Sequence, residues 1–324
     1  MAEKGVIPVK NERGYYDVRM ESIGGMGANL AGKILADAGV MGMGWNGLSF
    51  AAYGSEKKGT PVRTYVRFSD SDHPLRDGGP VEEPHLLVLF HENMVKALPV
   101  MRGLRPDGTV IVSTHRDPDR VRDALRLHAG TLICVDAMKI AVEERVRVNT
   151  TLLGTIARGM EFMDREVLKG ALREKFEEKY PQLVQGNLNA FDRGWAEVKV
   201  KRFEPDGRYE YLPFEKFEPK LGYATAPLGG AVINPGNTVE KDLSASREGF
   251  IPVLNLDKCV HCADCDSTCP DQCFVWERGK DDKGKERQFL RRIEYRYCKG
   301  CLRCVTVCPA GAITAEREKE GATA

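Results

Sequence analysis

The sequence predicts two folded units of different class: a larger α/β unit on a mostly parallel, helix-covered sheet, then a small α+β unit organised by bound metal. Two observations predict this. Short apolar runs alternate with helix-forming segments across residues 15–195, the pattern of a sheet whose strands are buried on both faces. Nine of the ten cysteines fall between positions 259 and 308, and the first 258 residues hold only Cys134. A chain of 324 residues has room for two cores at roughly 100–200 residues each.

In order along the first unit, residues 16–22 read as a strand, Gly24, Gly25, Met26 and Gly27 as a turn, and 28–38 as a helix. Residues 62–68 are rich in β-formers, and 86–90, 109–112 and 132–135 read as buried strands, with Cys134 a core residue. Residues 119–127 and 164–180 have helical composition. A glycine turn between strand and helix can offer backbone N–H groups to a phosphate. Here the dinucleotide fingerprint is broken, because Leu30 stands where Gly or Ala is needed and no acidic residue follows about 20 positions later. The turn is therefore expected to pack against a partner subunit. From 199 to 249 the texture changes to scattered Pro, Gly and charge, an extended connector. The expected organisation is thus 1–198, a connector over 199–249, and 250–324, with a frayed tail from 316.

Composition narrows the function. With 48 basic and 47 acidic residues, giving +1, the chain lacks the basic excess of a nucleic-acid binder. Its longest apolar runs fall far short of the roughly 20 residues that span a bilayer, and its first residues form no signal peptide. A cytoplasmic protein is expected, and in a reducing compartment crowded cysteines read as metal ligands rather than disulfides.

The cysteines repeat one spacing: Cys259, Cys262, Cys265, Cys269-Pro270, then Cys298, Cys301, Cys304, Cys308-Pro309. Three thiolates spaced by two residues let a short loop curl around three irons of a 4Fe-4S cubane, and the fourth ligand comes from elsewhere. In two-cluster ferredoxins the fourth cysteine of each run serves the other cluster. Cys259, Cys262, Cys265 and Cys308 are thus assigned to one cluster, and Cys298, Cys301, Cys304 and Cys269 to the second. Zinc ribbons use separated Cys-x-x-Cys pairs instead. Cys273 is left over, expected as a small buried residue beside a cluster, and His261 as an ordinary loop residue. Residues 270–297 read as a hairpin with a charged, solvated tip between the two motifs. Asp264, Asp266 and Asp271 accompany the first motif, whereas Arg296, Lys299 and Arg303 accompany the second.

Residues 15–195 resemble the gamma subunit of the 2-oxoacid:ferredoxin oxidoreductases, through ESIGGMGANLAGKILADAGV, YGSEKKGTPVRTYVRFSD and VNTTLLGTIARG. The C-terminal region is similar to the family's delta subunit, a two-cluster ferredoxin fold, so the chain resembles a gamma–delta fusion. The family usually has GGQG where Met26 stands, and often Arg-Gly-Gly where Lys58, Gly59 and Thr60 stand. As a whole the chain is most similar to the family member acting on oxalate. The resemblance implies thiamine diphosphate and magnesium in alpha and beta partner subunits, a dimer of heterotrimers, soluble ferredoxin as acceptor, and no catalytic residue in this chain. Two other readings stay open: a nucleotide-dependent oxidoreductase with a fused ferredoxin, and an electron-carrier module of another complex.

Overall fold

A computed structural model describes residues 5–53, 60–177, 179–215, 229, 242–247 and 249–318. The chain divides into two compact units, Met1–Lys216 and Phe217–Ala324. In the first, β1 (Tyr15–Ile23), β2 (Asn46–Tyr53), β3 (Pro61–Ser69), β4 (Leu86–Leu89), β5 (Thr109–Ser113), β6 (Gly130–Val135) and β7 (Val198–Phe203) form one sheet in the order β2-β3-β1-β4-β5-β6-β7. The central strands β1, β4, β5 and β6 are parallel. β2 is antiparallel to β3, which is antiparallel to β1, so β2 runs with those four and five of the seven strands share a direction.

Both faces of the sheet are covered, which is why its central strands read as unbroken apolar runs. Leu86 and Val88 of β4 join Tyr16, Val18 and Met20 in one core, while Leu87 and Leu89 face another. The first face is covered by α1 (Ala28–Asp37), and the second by α2 (Met94–Ala97) and α3 (Pro118–Leu125). α4 (Ala137–Glu143), α5 (Val148–Gly159), α6 (Arg165–Glu177) and α7 (Val184–Ala196) complete the first face. Each fully buried leucine contributes about 1.5–3 kcal/mol. Cys134 lies in the second core at 1% exposure, and burial pushes its thiol up to about 12, so it stays neutral and packs as expected of a core residue.

α5 and α7 cross at two glycines. A Cβ on Gly154 would lie 1.9 Å from the Phe191 carbonyl oxygen, and one on Gly194 would lie 2.0 Å from that of Thr151. The Thr155 hydroxyl closes the contact by donating to the Gly194 carbonyl at 2.8 Å. Because the obstacle is backbone on the partner helix, Gly194→Ala should destabilise the first unit by about 3 kcal/mol, the upper part of the overpacking range. Thermal unfolding followed by circular dichroism would show a melting temperature lower by several degrees; an unchanged value would mean the helices separate freely.

Residues 199–203, expected to begin the connector, instead form most of β7. This edge strand is exposed and charged, its Lys199 and Lys201 pairing with Asp117 and Asp119 at 2.7 Å. Charge on an edge blocks pairing with other chains and also hides the strand from an apolar-run search. Most of the remaining connector, 216–228 and 230–241, lies outside the described residues.

In the second unit β8 (Phe250–Leu254) pairs antiparallel with β11 (Ile313–Arg317), and β9 (Phe274–Lys280) with β10 (Glu286–Ile293). The β9–β10 hairpin is the one expected between the motifs. Its tip is exposed, and the Asp281 carboxylate accepts from the backbone N–H groups of Lys283 and Lys285. Two short helices, α8 (Asp264–Thr268) and α9 (Arg303–Val307), carry the third cysteine of each triplet, Cys265 and Cys304. Glu316 and Arg317, expected in a frayed tail, are held in β11 against Ile251 and Phe250. The backbone N–H of Leu243 donates to the Arg296 carbonyl at 2.8 Å, so the last residues of the expected connector are built into this unit. Among the described residues no helix is long and apolar enough to cross a membrane.

Candidate metal centres

The two cysteine motifs fold alike. A single turn of 3-10 helix, Leu256–Lys258 or Tyr295–Tyr297, delivers the first cysteine of each. Left-handed backbone then recurs at matching positions: His261 (φ 55°) with Gly300 (φ 69°), Ala263 (φ 69°) with Leu302 (φ 58°), and Gln272 (φ 50°) with Gly311 (φ 59°). For an L-residue this conformation costs roughly 1–2 kcal/mol, and such strain persists where the surrounding structure enforces it. Here it reverses the chain between successive cysteines, so that a short loop can surround a compact group.

The fourth cysteine of each motif lies beside the triplet of the other. One cavity is lined by Cys259, Cys262, Cys265 and Cys308, closed at its apolar end by Trp276, Leu290 and Ile313. Cys269 instead reaches the other triplet, where it and Cys298 both contact the Cys273 thiol. Cys265 and Cys304, each at 7% exposure, and Cys298, at 8%, are buried, while Cys262 and Cys301 are exposed. Burial, and then the thiolates of Cys259 and Cys262, push the Cys265 thiol up to about 11. Burial, followed by Cys298, Cys301 and Cys269, pushes Cys304 up to about 12. Cys265 and Cys304 thus hold their protons until a cation takes their place, the coupling expected of a thiolate metal site.

Backbone donors are aimed at the sulfurs as well. Ala312 N–H donates to Cys308 Sγ at 3.2 Å, Gly300 N–H to Cys298 Sγ at 3.4 Å, and Cys273 N–H to Cys269 Sγ at 3.5 Å. With the Cys273 thiol as the leading cause, the Cys269 thiol is drawn down to about 6 and that of Cys298 to about 7. Such donors stabilise negative charge on ligand sulfur and tune a cluster's potential. Among the described residues no three His, Cys, Asp or Glu side chains close on the position of a single ion. In a cubane each thiolate binds a different iron, so its ligands surround a volume rather than a point. Soft thiols ringing a cavity, with N–H groups behind them, are a donor set that fits 4Fe-4S clusters.

Cys273 is buried beside Cys269 and Cys298, as expected. His261 does more than occupy a loop. Its Nδ1 accepts from Leu290 N–H at 3.1 Å and its ring packs edge-on against Phe289, which pins the first motif to the hairpin. The acidic and basic sets are not wholly separate either, since Lys299 pairs with Asp271 at 3.4 Å. Arg247, which nothing in the sequence singled out, is buried at 5% exposure and donates through Nε to the Cys298 carbonyl at 2.9 Å. Its remaining nitrogens bond the Tyr295 carbonyl and the Glu318 carboxylate.

In the first unit, Gly27 caps α1 with φ 89°, and a Cβ there would lie 2.8 Å from Asn149 Cγ. Packing between α1 and α5 therefore demands this glycine without any bound phosphate. Lys58 and Gly59 lie outside the described residues.

A helix-covered α/β domain joined to a domain of two thiol cradles defines a multi-domain electron-transfer protein. Residues 17–197 match the pyruvate ferredoxin/flavodoxin oxidoreductase family and residues 258–312 match the 4Fe-4S dicluster domain. The chain belongs to the pyruvate ferredoxin/flavodoxin oxidoreductase family. It is 31% identical over 188 residues to pyruvate synthase subunit PorC of Thermotoga maritima, covering 57% of this chain and 95% of that one. It is 41% identical over 92 residues to pyruvate synthase subunit PorD of Methanothermobacter marburgensis, covering 28% of this chain and 96% of that one. The crystal structure of the Thermotoga maritima pyruvate oxidoreductase subunit PORC superposes with a TM-score of 0.50 at 29% identity, covering 58% of this chain and 99% of that one. The chain is thus a gamma–delta fusion and an electron-transfer subunit of a 2-oxoacid oxidoreductase complex.

Proposed function

We propose that this subunit serves a thiamine diphosphate-dependent oxalate oxidoreductase and passes its electrons to a soluble ferredoxin. The observation that supports the electron path is the placing of each motif's fourth cysteine beside the triplet of the other. In this reading Cys259, Cys262, Cys265 and Cys308 hold one 4Fe-4S cluster, and Cys298, Cys301, Cys304 and Cys269 hold the other. Bound clusters supply one-electron transfer, while the chain supplies ligands, hydrogen bonds and burial. Thiamine diphosphate and magnesium reside in alpha and beta partners, arranged with this chain as a dimer of heterotrimers. The turn of Gly24, Gly25, Met26 and Gly27 faces those partners. Support for oxalate comes from Met26, which stands where the family usually has glutamine, and from the likeness of the whole chain.

The full chain, purified anaerobically, is expected to carry about eight irons and eight acid-labile sulfides; stoichiometric zinc without sulfide would overturn the ligand assignment. The complex with its partners is expected to reduce a viologen with oxalate faster than with pyruvate or branched 2-oxoacids. Faster turnover of pyruvate would overturn the substrate and leave the electron path standing.

A further inference from the structure

We propose that Arg247 raises the reduction potential of the cluster bound by Cys298, Cys301, Cys304 and Cys269 above that of its neighbour, and so sets the direction of electron flow through the second unit. This rests on the ligand assignment proposed above. An iron–sulfur cluster becomes one charge more negative on reduction, so a fixed positive charge close by favours its reduced form. Arginine keeps its charge at any working pH, and a charge out of water acts at much lower effective dielectric than one at the surface.

Arg247 meets both conditions. Its side chain is 3% exposed, and among the described residues of the second unit no other charged side chain is as buried. Nε donates to the carbonyl of Cys298, a ligand residue, at 2.9 Å. A second nitrogen donates to the carbonyl of Tyr295, in the turn that delivers Cys298. The approach is made possible by Gly300, where a Cβ would lie 2.5 Å from the Phe250 carbonyl oxygen and 3.4 Å from Arg247 Cγ. In the first motif His261 occupies the matching position.

Opposing charges do not cancel this one. Glu318, the partner of Arg247, is 21% exposed and so is partly screened by water. Lys299 and Asp271 offset each other as an ion pair. Around the first motif Lys258 offsets Asp257, while Asp264 and Asp266 leave an excess of negative charge near the surface, which disfavours reduction there. A single electron entering the first-motif cluster therefore moves downhill to the second-motif cluster, returning the donor to its oxidised level, with no proton transferred.

The test is a redox titration of the full chain followed by electron paramagnetic resonance, with each cluster's signal assigned beforehand from Cys262→Ser and Cys301→Ser. Arg247→Gln should lower the midpoint of the second-motif cluster and leave the other in place, whereas Arg247→Lys should stay close to the parent. Glu318→Gln, which removes the opposing charge, should raise the same midpoint, and it carries the test if Arg247→Gln binds less iron. Unmoved midpoints in both neutral variants at full iron content would overturn the proposal while leaving the ligand assignment intact. Equal shifts of both clusters would overturn it too. Should Cys262→Ser and Cys301→Ser alter the same signal, the ligand assignment itself fails.

Discussion

Cys308→Ser should perturb the cluster of Cys259, Cys262 and Cys265, although those residues belong to the other motif. Serine is a harder and poorer ligand for cluster iron than thiolate, so the expected result is loss of one iron or a displaced signal. Cys269→Ser should perturb the cluster of Cys298, Cys301 and Cys304 in the same way. Pairing the variants identifies the partners. Cys308→Ser with Cys262→Ser should damage one cluster and spare the second, while Cys308→Ser with Cys301→Ser should damage both. Paramagnetic resonance of reduced samples reads the difference. The reverse pattern would mean that each motif completes its own cluster, despite the cavity that Cys308 shares with the first triplet.

Stripping iron from the chain should unfold the second unit and leave the first intact. The apolar centre of the second unit consists of Cys265, Cys273, Phe274, Leu290, Ile293, Cys298, Cys304 and Ile313. Half of these are cysteines, and three are ligands in the proposed assignment. Four aliphatic or aromatic side chains at about 1.5–3 kcal/mol each cannot offset the ordering of a domain this small, which generally needs metal or cross-links. After anaerobic oxidation and chelation, limited proteolysis should remove the region beyond residue 216 and spare the sheet of the first unit. Equal resistance in both units would show that the small core suffices without metal.

How much of this was legible in the sequence depended on which force fixed each element. The central strands could be read because both faces of β4, β5 and β6 are apolar, and α1 because its periodic face follows a glycine turn. The two cysteine triplets could be read because ligand geometry demands that spacing. β7 could not: an edge strand is defined by its neighbour's hydrogen bonds, and its lysines resemble those of a linker. The crossing of α5 and α7 depends on two glycines far apart in sequence, each meaningful only against the other helix's carbonyl. Arg247 was equally hidden, because its burial comes from the Tyr295 turn and Glu318, and a lone arginine in a polar stretch carries no local signal.

The pairing of β8 with β11 and the placing of Cys308 beside Cys259 have a consequence for biosynthesis. A nascent chain emerges from the ribosome at about 5–20 residues per second, amino end first, and domains generally fold as they are completed. The first unit can therefore close its sheet once β7 has been made, well before any metal is needed. The second cannot. Its earliest triplet waits for Cys308, and its first strand waits for residues 313–317. In the proposed assignment the last ligands of the two cradles, Cys304 and Cys308, are made almost together and after the first unit has closed, so a ribosome stalled just before Cys304 would leave neither cradle whole.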